Sequence, residues 1–443
     1  MNNSTLIHSG AAAVDITPAA PTFLSGYPHV QRQSTGVSDP LLASALYISD
    51  GETRVIFIAN DIIFVPKWLS DRARKRIEAS TGVPADHVMI TATHTHSGPV
   101  TTKMLSNETD PIVPEPDPGY LTLLECGIVA AAERACAGAK PAEIGHVLAD
   151  GSGLGSNRHD PEGVRDPRVS VLSVRSVEGD DCIGLMLVCN MHPTVLHEDS
   201  TLISGDFPGF ARRYLQENVI GADCPVVYHM GAAGNQSPRH VTKSNTIEEA
   251  NRLGELLGKA VADVLPSLSY ERSLDVSCDS VLLELPLRGF PPVTEAAAAR
   301  DKAKQRFEHL RDTRAPRADT RSAECDWFGS EETVTLSRAA QSGRLEQAAR
   351  ACMPARVQVI RVGPWAFVGW PGEVYVEFAL DVKKRFPDCC VVTLANSDLE
   401  GYIVTQEAVD RASYESGNAV FKSPDSGEML VEATIDLLSR SGQ

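Results

Sequence analysis

Hydrophobic residues in this chain fall into short runs separated by turn residues, not into long apolar blocks. Leu41 to Ile48 and Val55 to Ala59 are two such runs, and Asp50-Gly51 between them predicts a hairpin. The period then changes. Leu69, Ala73 and Ile77 recur at helical spacing and predict a helix from about Lys67 to Ala79, ended by Thr81-Gly82-Val83-Pro84. Strand character returns at His87 to Ala92, Ile144 to Leu148, Val169 to Val174, Ile183 to Cys189 and Pro225 to Met230. Leu121 to Ala137 and Glu248 to Val264 carry helical stripes. Further on, a hairpin around Gly363-Pro364 joins Val357 to Ile360 with Ala366 to Val368, a helix runs to about Arg385, and Val391 to Leu394 is a last strand. Strands interleaved with helices predict an α/β fold.

Two stretches break this rhythm. Val100 to Pro118 is rich in Pro, Asp and Glu, as expected of a loop bordering a cleft. From Thr294 to Arg350 the composition shifts to Ala, Arg, Glu and Gln, which predicts one or two amphipathic helices inserted into the fold as a lid or a dimerisation element. No internal repeat is present, so residues 1–443 are expected to form one domain containing the 294–350 insertion.

With 42% hydrophobic and 22% charged residues, the balance is that of a globular protein. A formal net charge of −17 argues against a nucleic-acid partner and against stable membrane association. The charge leaves room for a local basic pocket around Arg158 or Arg239, and the expected partners are a small-molecule substrate and, as an option, a second copy in a homo-oligomer. The N-terminal residues show no basic start and no apolar stretch of signal length, so no secretion signal is expected. The ten cysteines include no CxxC pair, which predicts reduced thiols, a cytoplasmic location and no cysteine metal cage.

Candidate chemistry lies at strand ends. His94-Thr95-His96 follows an apolar strand, and in extended chain residues two apart face the same way, so both imidazoles can meet one ion or one substrate. Backbone hydrogen bonding at a sheet edge would satisfy them equally well. His192 follows another apolar strand, with Pro193 stopping it. His197, beside Glu198 and Asp199, reads as an exposed loop residue. Glu373 sits in a Pro-Gly turn, either as a rigidly held carboxylate or as a helix N-terminal glutamate favoured by the dipole. Zinc accepts such nitrogen and oxygen ligands, and a catalytic site keeps a position for water. Ser237 lacks the Gly-x-Ser-x-Gly elbow and is followed by Pro238, so a supporting role suits it better than a covalent one.

Together with these, several motifs resemble the neutral/alkaline, non-lysosomal ceramidase family. They are Ala13-Val14-Asp15-Ile16-Thr17-Pro18, Gly26-Tyr27, Gly36-Val37-Ser38-Asp39-Pro40, Thr93-His94-Thr95-His96-Ser97-Gly98-Pro99 and Asn157-Arg158. His192-Pro193-Thr194, Ile203-Ser204-Gly205-Asp206, Gly234 to Pro238, Pro371-Gly372-Glu373 and Gly401-Tyr402-Ile403-Val404-Thr405 complete the series in family order. The resemblance implies a mixed-sheet catalytic domain, without the family's C-terminal immunoglobulin-like domain. It implies one zinc ion on His94, His192, Glu373 and Tyr402. It casts His96 and Arg158 as the pair that holds substrate or oxyanion, and Ser237 as a nucleophile or substrate contact. Asp206 is a further candidate, for proton transfer. Asn235 and Gln236 stand where the family carries Asp and Val.

The expectation is therefore a zinc-dependent hydrolase cleaving an amide of a lipid or a small polar metabolite through zinc-bound hydroxide. An ester, a lactone or a sugar derivative, by hydrolysis or lyase chemistry, is the first alternative. A non-catalytic, metal-stabilised binding protein is the second.

Overall fold

The structure, a computed structural model, describes residues 6–179 and 181–440. An eight-stranded sheet carries the order Val226–Met230, Cys182–Cys189, Arg168–Ser176, Lys140–Asp150, His8–Asp15, Leu42–Ser49, Arg54–Asn60, Val88–Ala92. Its end pairs are parallel and the pairings between them antiparallel, so the sheet is mixed as expected. The sheet is made of two four-stranded halves, joined where His8 and Ser9 meet Pro141 and Lys140. A separate four-stranded sheet has the order Val276–Leu283, Ala355–Val362, Trp365–Gly369, Cys389–Val392.

Alternation along the strands assigns each face. Val55, Phe57 and Ala59 point into an inner core shared with Leu172, Val188 and Val227 of the second half and with Ile360, Phe367 and Val392 of the smaller sheet. Ile56 and Ile58, on the opposite face, pack under Leu69, Ala73 and Ile77 of the helix Lys67–Thr81 and Leu124, Ile128 and Ala131 of Pro118–Ala137. The outer face of the second half is covered by Asp206–Leu215 and Ile247–Val264. That of the small sheet is covered by Val376–Arg385 and Asp425–Arg440, among others. All three strand groups thus bury one face against each other and one under helices.

The hairpin at Asp50-Gly51 forms as predicted, with Ile48 opposite Val55 and the Asp50 carboxylate accepting the N–H groups of Glu52 and Thr53. His8–Asp15 is a strand that composition does not announce, because Ser9-Gly10-Ala11-Ala12-Ala13 lacks branched residues. Close packing explains the small residues: a Cβ on Gly10 would come within 2.2 Å of the Ala135 carbonyl oxygen of the overlying helix. The polar stretch after Val276–Leu283 forms three helices, Val293–Asp312, Arg317–Gln341 and Arg344–Cys352. It leaves one strand and returns on its antiparallel neighbour, where Leu283 pairs with Ala355. Among the described residues no helix is long and apolar enough to cross a membrane.

At the centre His229 is fully buried, its Nδ1 2.8 Å from Thr91 Oγ1, and burial pushes its pKa down to about 3. A histidine neutral in the fold but free to protonate when unfolded removes stability as pH falls from about 6.5 towards 3. Urea unfolding at pH 7 and pH 4.5 is expected to show His229→Gln losing less stability than the parent over this range, by on the order of 1–3 kcal/mol. Equal losses in the two proteins would contradict the assignment.

Candidate metal centre

The loops after the strands of all three groups meet at one place. Thr93 and His94 donate their backbone N–H groups to the carbonyls of Asn60 and Ile62, at 2.8 and 2.9 Å, which turns the chain out of the strand. His94 therefore adopts φ 69°, a left-handed conformation uncommon in a residue with a Cβ. The expected extended His-Thr-His segment is replaced by this bend. The two rings still converge, with centroids 4.9 Å apart and planes at 82°. His192 approaches from the second half-sheet, its ring centroid 4.9 Å from that of His94. Glu373 is not in a helix. It lies in a short parallel pairing opposite Tyr402, and the helix Val376–Arg385 begins beyond it.

Hydrogen bonding fixes the histidine tautomers. His94 Nδ1 lies 3.0 Å from the Ile63 carbonyl oxygen, and His192 Nδ1 lies 2.6 Å from that of Ala233 and 3.1 Å from that of Gln236. A carbonyl can only accept, so each Nδ1 carries a proton and each ring turns its Nε2 towards the site. Those two nitrogens lie 3.2 and 3.0 Å from the same atom, Glu373 Oε2. Burial pushes His192 down to about 4, overriding its contact with Glu373, so the ring is neutral near pH 7. Burial acts to raise the Glu373 carboxyl, but His94 and His192 outweigh it and hold it well below the usual range. His94 Nε2, His192 Nε2 and Glu373 Oε2 thus converge in a buried space, an arrangement that a bound cation would suit.

His96 adds a third imidazole. Its ring nitrogens are buried and have no hydrogen-bond partner among the described residues, and burial, reinforced by His94 and His192, drives the ring well towards neutrality. Donor atoms of His94, His96 and His192 lie within 4.8 Å of one another, so these three alone can hold an ion. Gly26 makes room for the ring. At its φ of 104° a Cβ would sit 2.4 Å from His96 Nδ1.

Beside Glu373, Tyr402 is buried, with its hydroxyl 3.3 Å from that of Tyr414. Burial raises its pKa and Glu373 adds to this, while Arg158 opposes them. The Arg158 guanidinium packs over the rings of Tyr402 and Tyr414 at 5.3 and 5.0 Å, donates from Nε to Glu415 Oε1 at 2.7 Å, and also bonds the Gly234 carbonyl. Burial would raise Glu415, but Arg158 and His159 dominate and hold it at about 2.

His94, His96, Arg158, His192, Ser237, Glu373 and Tyr402 all line one cavity of about 190 Å³. Asp206 does not join them. Its carboxylate accepts the backbone N–H groups of Val195, Leu196 and Phe207, although burial raises it to about 7. Ser237 Oγ accepts the Arg239 backbone N–H at 3.3 Å. The Val100 to Pro118 loop contributes Thr102, Met104 and Asn107 to the wall, and the inserted helix contributes Arg321, Cys325, Phe328 and Glu332. His197 is not an exposed loop residue: it is largely buried in the same wall. Tyr414, Glu415 and Glu332 carry no motif in the sequence that singles them out. Asn235 donates from Nδ2 to both oxygens of Glu377, at 3.0 and 2.9 Å, so an aspartate there would face another carboxylate.

Glu373→Gln removes the carboxylate that faces both Nε2 atoms. Metal affinity is expected to fall by about a hundredfold or more. Unchanged metal affinity in the variant would refute a ligand role for Glu373. Gly26→Ala is expected to displace the His96 ring, visible in a crystal structure of the variant as a changed side-chain rotamer. An unmoved ring would show that the close approach does not constrain it.

Residues 8–150 match the family described as neutral/alkaline non-lysosomal ceramidase, N-terminal. Over 238 residues the chain is 27% identical to the neutral ceramidase of Mycobacterium tuberculosis, covering 49% of this chain and 37% of that protein. Over 290 residues it is 25% identical to the neutral ceramidase of Pseudomonas aeruginosa, covering 58% and 43% respectively. The chain therefore spans less than half the length of these curated relatives. Its fold resembles the crystal structure of the Pseudomonas aeruginosa neutral ceramidase with a TM-score of 0.74 at 18% identity, over 99% of this chain and 75% of that one. A structure described as ceramidase complexed with C2 matches equally, with a TM-score of 0.74 at 17% identity, over 98% and 76%. These findings bear out the resemblance and the mixed α/β fold expected from the motifs.

Proposed function

We propose that this chain, which resembles the neutral ceramidases in sequence and fold, is a zinc-dependent hydrolase of amide bonds. The convergence of His94 Nε2, His192 Nε2 and Glu373 Oε2 carries the proposal. These atoms, with the Tyr402 hydroxyl beside Glu373, make a mixed nitrogen and oxygen set suited to zinc, and among the described residues Cys325 is the one cysteine in the cavity wall. A bound ion would supply an acidified water and a Lewis acid for a carbonyl oxygen. The protein's own groups do the rest. His96 offers a neutral ring with one N–H and one lone pair, suited to a developing oxyanion. Arg158 packs against the Tyr402 ring and favours the ionised phenol, though its bonds to Glu415 and Gly234 make it a positioning residue as well as an electrostatic one. Ser237, whose oxygen is already an acceptor, keeps its hydroxyl proton for a substrate contact.

The single catalytic domain includes the insertion, whose helix forms part of the cavity wall. Cysteine usage supports a cytoplasmic location. The three-histidine set supports a second ligand arrangement in which His96 also binds the ion.

Elemental analysis is expected to find about one zinc per chain. Exhaustive chelation should abolish turnover of an acyl amide, and zinc should restore it. Full activity in the chelated protein, or cleavage confined to esters or sugar derivatives in a substrate panel, would overturn the assignment. His96→Ala is expected to lower kcat about a hundredfold with unchanged zinc content. A loss of zinc instead would make His96 a ligand.

A further inference from the structure

We propose that a second cavity, next to the histidine site, binds an anionic end of the substrate, a carboxylate or a phosphate. This deepens the hydrolase reading and rests on it. The cavity, about 410 Å³, shares His197, Arg239 and Arg321 with the first, and its outer wall carries Arg311, Arg314 and Arg317. Its carboxylates are Glu198 and Glu324, and both are engaged by Arg321. Arg311 pairs with Asp312. Arg239, Arg314 and Arg317 form no ion pair among the described residues: Arg239 bonds Ser322 Oγ at 3.2 Å, and Arg317 reaches only Thr242, at 3.4 Å. Uncompensated guanidiniums therefore run from the rim to the edge of the histidine site.

Two further observations join this cavity to the chemistry. His197, in the shared wall, is pushed well below its usual range, first by burial and then by Arg321, Arg317 and Arg239, so these charges act together at that point. Tyr27 links the spaces: its ring lies 5.8 Å from His197 and 5.3 Å from His96, under the Arg321 guanidinium at 5.1 Å. In a chain of formal charge −17, an anion is repelled by the bulk of the surface. A local basic path reverses that at the entrance, and guanidinium forks match carboxylate and phosphate oxygens. A neutral amide has no use for it.

The test uses the zinc-loaded full chain. Calorimetric titration with inorganic phosphate and with succinate is expected to show binding of at least one. Affinity should fall about tenfold or more in Arg314→Glu/Arg317→Glu and decline with added salt. Phosphate alone binding would identify a phosphate group, and succinate alone a carboxylate. Binding of neither, or binding unchanged by the reversal, as for an anion held by the zinc, would overturn the proposal. Arg314→Gln/Arg317→Gln carries the same expectation if charge reversal disturbs the helix start. In turnover, kcat/KM for an acyl amide with an anionic end should exceed that for its uncharged counterpart about tenfold, and the ratio should collapse in the variant. No amide turnover at all would defeat the hydrolase reading, while the calorimetry would still decide the anion site.

Discussion

The convergence of two ring nitrogens on one buried carboxylate oxygen is the constraint on which the rest of this structure turns. Each partner is fixed by a different part of the fold. Backbone carbonyls of Ile63 and Ala233 hold the His94 and His192 protons on Nδ1, and the pairing with Tyr402 holds Glu373 in extended chain. Neither ring can turn away from the carboxylate without giving up its carbonyl.

Around that centre several polar groups are paired by contacts between distant parts of the chain. Arg158 and His159 share Glu415, and Asn235 is locked between Glu377 and the Val376 backbone. Buried ion pairs of this kind add little to stability over an apolar core, but breaking one leaves a charge without a partner. Their effect is positional. Arg158 and Glu415 are far apart in sequence, and their contact holds the guanidinium over the Tyr402 and Tyr414 rings.

Legibility in the sequence followed the range of the interaction. Strands with branched apolar runs, such as Val88–Ala92 and Val226–Met230, could be read locally, and so could the helix Lys67–Thr81 with its four-residue spacing. His8–Asp15 could not, because its small residues answer to a helix packed over them. His94 and His192 were visible as polar residues ending apolar strands. Glu373 and Tyr402 needed the motif resemblance, since nothing local separates them from a helix start and an ordinary tyrosine. Glu332 and Glu415 lie in polar helical stretches whose periodicity says nothing about which carboxylate will be buried. Asp206 shows the same ambiguity, because a carboxylate ending a polar motif can equally serve three backbone amides.

The helical excursion between Val276–Leu283 and Ala355–Val362 departs and returns on adjacent strands. Its length and surface can therefore be rewritten while the hairpin beneath stays closed, leaving His94, His192 and Glu373, all borne elsewhere, in place. Such a plan separates the histidine cluster from one wall of its cavity, so the contour of that space can be exchanged without rebuilding the cluster.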